Sequence, residues 1–145
     1  MRAIGSDKRL VAAAAAAPVF WVVLYFFTRP AMNLLWPIQE PGPFLSLALL
    51  YPILEELAFR GFLQGWLAET RWGARQWCGL STANAITSTA FAAAHLYSHP
   101  WQWAATTFFP SLVFGFFRDR DRRLGVPIGL HVFYNGGYYW LFGSG

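Results

Sequence analysis

Between Gln76 and Phe117 the chain runs for 42 residues without a Lys, Arg, Asp or Glu. Such a stretch cannot clothe a surface in water, and it is long enough for two bilayer crossings at about 20 residues each. Leu10 to Thr28 and Leu124 to Gly145 are equally free of charge. Across all 145 residues only 12% are charged, about half of what a water-soluble domain uses. The 56% hydrophobic content excludes a disordered chain. A single cysteine, Cys78, excludes an intramolecular disulfide framework. The net charge of +4 does not indicate a nucleic-acid partner, because the basic residues fall in short clusters between apolar segments rather than along one polar face.

Helices are the default for spanning segments, since the bilayer interior offers backbone groups no hydrogen-bond partners. Proline, glycine and charge punctuation divides the sequence into five predicted helices, at about 9–28, 43–68, 79–97, 101–117 and 126–142. The expected fold is therefore all-α, a polytopic transmembrane helix bundle of about five spans. It forms a single membrane-embedded domain over residues 1–145, with no internal repeat. The alanine run Ala12 to Ala17 imitates a signal peptide, but the apolar stretch continues past Pro18, so an uncleaved anchor is expected. With the N-terminus cytoplasmic, Arg2, Lys8, Arg9, Arg71, Arg75, Arg118, Arg120, Arg122 and Arg123 all lie inside and only Arg29 lies outside. The positive-inside rule then gives an outward C-terminus.

Six polar residues interrupt these apolar segments: Glu55, Glu56, Arg60, His95, His131 and Asn135. Each costs a few kcal/mol at bilayer depth, so they are expected to face one another or a wet cavity. On a helix, residues four apart are stacked whereas adjacent residues diverge. Arg60 therefore belongs with Glu56 as a structural ion pair, and Glu55 is left without a local cation, suited to take a proton from water and return it. His95 shares a stripe with Phe91, Ser88 and Asn84, and His131 and Asn135 present an imidazole and a carboxamide on one face. His99, beside Pro100, reads as a loop residue. The spacings Gly61/Gly65 and Gly125/Gly129 permit close helix crossings.

Glutamate with histidine can polarise a water for attack on a carbonyl, and a second imidazole with an amide N–H can stabilise the resulting oxyanion. Neither a nucleophile elbow nor a phosphate-binding glycine loop is present. That combination describes peptide hydrolysis with Glu55, His95, His131 and Asn135 as catalytic candidates and with no cofactor. The alternative is a zinc site ligated by Glu55, His95 and His131, although the sequence has no H-E-x-x-H helix.

Three motifs occur in order. E-E-x-x-x-R is met at Glu55, Glu56 and Arg60, continuing F-R-G through Phe59, Arg60 and Gly61; F-x-x-x-H at Phe91 and His95; and H-x-x-x-N at His131 and Asn135. Together they resemble the signature of the CPBP family, the membrane proteases that include type II CAAX prenyl endopeptidases and bacteriocin-processing and immunity proteins. The likeness covers about residues 43–140, and the chain resembles the compact bacterial forms. It implies a glutamate-type intramembrane endopeptidase in which Glu55 and His95 activate water and His131 and Asn135 form the oxyanion hole. It also implies a membrane-anchored polypeptide substrate and, for a bacterial source, residence in the inner membrane. Two other classes use the same residues: a non-catalytic immunity or binding module, and a small proton-coupled transporter.

Overall fold

The computed structural model describes residues 7–143. Arg2, one of the residues on which the expected orientation rests, lies outside them. Among the described residues the fold is all-α, with six helices and one small hairpin. The helices are α1 (Lys8–Thr28), α2 (Trp36–Gln39), α3 (Pro41–Ala68), α4 (Thr82–His95), α5 (Trp101–Asp121) and α6 (Gly125–Phe142), and the strands are β1 (Gln76–Trp77) and β2 (Leu80–Ser81). Of the five expected spans, α1 and α3 are long and apolar enough to cross a membrane. α4 has 14 residues, or roughly 21 Å at 1.5 Å per residue, which is short of a hydrocarbon core of about 30 Å. The contacts group the chain into two compact units, Met1–Ile53 with Gly129–Gly145, and Leu54–Ile128.

In the first unit, α1 begins where the Asp7 carboxylate accepts the backbone N–H groups of Arg9 and Leu10 at 3.1 and 3.2 Å, satisfying two of the orphan donors of a helix start. It ends at Arg29 in the left-handed region, with the Arg29 guanidinium 5.4 and 5.2 Å from the Tyr25 and Phe26 ring centroids. α1 buries only its small stripe, Ala13 and Ala17. Against that stripe the Tyr134 hydroxyl donates to the Ala13 carbonyl at 2.6 Å. Gly137 of α6 lies so close to the Trp21 indole that any Cβ there would overlap it. The connection after α1 is fastened by Asn33 N–H donating to the Leu141 carbonyl at 3.0 Å and by Trp36, buried against Phe44 and Tyr139.

The second unit is organised by α4 and α5. Ser81 caps α4 by accepting from the Asn84 N–H at 2.9 Å. The preceding hairpin turns through Cys78 (φ 50°) and Gly79 (φ 83°), the pair of left-handed residues that a two-residue hairpin turn needs. Asn84 donates to the Leu112 carbonyl of α5 at 3.0 Å and accepts from Ser88 at 3.0 Å. The helices meet at Gly115, where a Cβ would overlap the Asn84 carboxamide. This crossing, rather than Gly125/Gly129, is where glycine permits close approach: the space beside Gly125 and Gly129 is open. α3 is α-helical except at two π-helical stretches, Ser46–Leu50 and Leu57–Gln64. Such wide turns recur at functional sites, and the second of them carries Arg60.

Candidate functional site

The two adjacent glutamates have different surroundings. Glu56 is fully buried, whereas Glu55 is partly exposed. The Glu56 carboxylate stands 3.4 Å from Arg60 Nε, with both side chains wholly inaccessible. Two charges removed from water persist only where further hydrogen bonds and opposite charge compensate them, and Arg60 is supplied with both. Its Nη2 donates to the Ser111 hydroxyl at 2.6 Å and to the Ser111 carbonyl at 2.8 Å. Its guanidinium also lies 4.9 Å from the Phe91 ring centroid and 5.9 Å from that of Phe114, within cation–π range. Arg118 Nε in turn donates to the Arg60 carbonyl at 3.1 Å.

Phe91 links this buried charge to His95. Its ring packs edge-on to Phe59 at 5.1 Å and against His95 at 4.5 Å. Phe59 and Arg60 of the first motif and Phe91 and His95 of the second thus form one cluster within the second unit. His95 Nδ1 lies 2.9 Å from the Phe91 carbonyl oxygen. A carbonyl only accepts, so the proton of the neutral imidazole resides on Nδ1 and the lone pair on Nε2. The ring stack continues from His95 to His99 at 5.8 Å and from His99 to Trp103 at 6.3 Å. His99 Nδ1 also bonds the Ser98 hydroxyl at 2.8 Å.

His131 and Asn135 belong to the first unit. His131 is buried, as Glu56 is. Asn135 Nδ2 donates to the Leu47 carbonyl at 3.3 Å, which uses one of the two N–H bonds of the carboxamide. Among the described residues no group of three or more His, Cys, Asp or Glu side chains is arranged to hold a metal ion.

Several residues that build this region were not singled out from the sequence. Ser111 carries no motif at all. Gln64 is buried beside Arg60, and its Nε2 donates to the Gly115 carbonyl at 2.9 Å and to Asp119 at 2.8 Å. A signal for it existed: Glu56, Arg60 and Gln64 recur at intervals of four on an otherwise apolar helix.

The chain is all-α, with two span-length apolar helices, a buried acid–arginine pair and a backbone-oriented histidine. The family follows from comparison. The model for Type II CAAX prenyl endopeptidase Rce1-like matches residues 37–137, and the chain belongs to that family. No curated protein and no solved structure matches it.

Proposed function

We propose that the protein is a glutamate-type intramembrane endopeptidase that hydrolyses a peptide bond of a membrane-anchored polypeptide. Glu55 and His95 take the water-activating role. The carboxylate accepts a proton as the water oxygen attacks the scissile carbonyl, and the Nε2 lone pair of His95 holds that water in line. His131 and the second N–H of Asn135 donate to the oxyanion. The proton held on Glu55 then passes to the leaving amine. Glu56 and Arg60 are structural, fixing α3 so that Glu55 is presented beside them. In this reading the protein lies in the membrane, with the N-terminus cytoplasmic and the C-terminus outside.

The observation that carries the proposal is the 2.9 Å contact of His95 Nδ1 with the Phe91 carbonyl. It commits the imidazole to the tautomer that can accept from water. Family membership supplies the reaction class, and the partial exposure of Glu55 beside a fully buried Glu56 supports Glu55 as the group that meets solvent and substrate. The test is cleavage of a membrane-anchored reporter by purified protein. Glu55→Gln keeps the shape and removes the base, so the rate should fall about 10²- to 10⁴-fold with the thermal transition unchanged. Equal cleavage by that variant would refute the assignment.

A further inference from the structure

A second polar site lies within Leu54–Ile128, away from Glu55 and His95. At the C-terminal end of α3, a cleft of 410 Å³ opens between the last turns of α3 and the end of α5. Gly61 and Gly65 of α3 line it, and the space a Cβ at Gly65 would enter reaches 3.5 Å from Arg118 Nη2. The guanidinium thus lies against this face of the helix.

The charges in this cleft are balanced but not paired with one another. Arg118 and Arg122 contribute two cations, and Glu69 and Asp119 contribute two carboxylates. Arg118 spends Nε on the Arg60 carbonyl. Asp119 spends Oδ1 on Gln64, while its Oδ2 is buried without a hydrogen-bond partner. Gln64, 1% exposed, also lines the cleft, and its Oε1 is likewise buried without a partner. Buried acceptors left unbonded are uncommon and call for a donor. The open cations call for an anion, and Arg is the side chain best matched to phosphate.

The position of the cleft narrows the ligand. α3 is a candidate span ending at Ala68, so the cleft lies at the level of one end of that span, where headgroups are found. Phe62 and Trp66, 75% and 59% exposed, form its outer lip with apolar surface suited to acyl chains. Exposed aromatic rings at such a boundary are a common interfacial feature.

We propose that this cleft binds the headgroup of an aminophospholipid, with Arg118 and Arg122 taking the phosphate and Asp119 and Glu69 taking the primary ammonium. The two carboxylates decide between headgroups. An ethanolamine ammonium has N–H donors to give them, a choline nitrogen has none, and a glycerol headgroup brings no positive charge to two carboxylates. The site is independent of the proposed peptidase chemistry.

The full-length protein in detergent, titrated with phosphatidylethanolamine, phosphatidylcholine or phosphatidylglycerol and read by native mass spectrometry, tests the inference. Phosphatidylethanolamine should be retained about tenfold over phosphatidylcholine, the scale of one charge-assisted hydrogen bond. Glu69→Gln and Arg122→Gln alter exposed residues and leave the Gln64–Asp119 bond in place. The first should narrow the preference over phosphatidylcholine, and the second should weaken both lipids. Asp119→Asn should abolish the preference. Equal retention of the three lipids, stronger retention of phosphatidylglycerol, a preference untouched by Glu69→Gln, or lipid retention untouched by Arg122→Gln would overturn the proposal. Stabilisation by free O-phosphoethanolamine with no lipid retained would assign the cleft to a soluble zwitterion and overturn the lipid reading.

Discussion

α1 and the α4–α5 pair solve opposite problems. α1 is apolar on every side, exposes Val19, Val22, Val23, Phe26 and Phe27, and buries little beyond Ala13 and Ala17. The second unit buries Glu56, Arg60, Gln64, Asn84, Thr87, Ser88 and Ser111 while Phe62, Trp66, Ile86 and Phe109 stand outside. In water that arrangement would be inverted. In a bilayer, apolar surface gains nothing from turning inward, and helices are joined by small residues and hydrogen bonds instead. The unit that carries Glu55 and His95 has a polar interior, so its helix packing and its chemistry depend on the same kind of side chain.

This contrast can be tested by breaking each half. The largest effect is expected at Glu56. Glu56→Ala leaves the Arg60 guanidinium buried without its carboxylate and should cost about 3–5 kcal/mol, measured as loss of folded protein on heating in detergent. Replacing Glu56 and Arg60 together by Met should recover most of that loss, because the cost comes from an uncompensated charge. At Gly115 the obstacle is shape. Gly115→Ala must displace an Asn84 carboxamide bonded to both Leu112 and Ser88, for about 1–3 kcal/mol by the same assay. In the first unit Tyr134→Phe removes one hydroxyl-to-carbonyl bond and should cost only about 0.5–1.5 kcal/mol. Chelation belongs at the end of the series. Treatment with a strong zinc chelator should leave reporter cleavage unchanged, and loss restored by zinc alone would move Glu55, His95 and His131 to the role of ligands.

The long elements were legible because proline, glycine and charge bound them. The expected helices at 9–28, 43–68, 101–117 and 126–142 correspond to α1, α3, α5 and α6 within a few residues. The start of α4 was less legible. A helix from 79 was expected, but Cys78 and Gly79 form a turn and Ser81 is the cap, so local hydrogen bonding of a short side chain overrode hydrophobic pattern. The π-helical stretches of α3 carry no composition signal, since they differ from an α-helix only in which carbonyl each N–H reaches. The spacing of Glu56 and Arg60 was readable as a contact because an ion pair four residues apart is set by the helix itself. Ser111, which accepts from Arg60 across 51 residues of sequence, depends on how α3 meets α5 and no local pattern announces it.

The acceptor that orients His95 is main chain, and no substitution can delete a peptide carbonyl. Side chains around the ring can drift, Phe91 included, and the imidazole will still carry its proton on the same nitrogen for as long as the final turn of α4 stays wound. Protonation chemistry is thereby tied to helix integrity rather than to any neighbour's identity, so a fault at this histidine would arise from fraying of that turn before it arose from mutation around it.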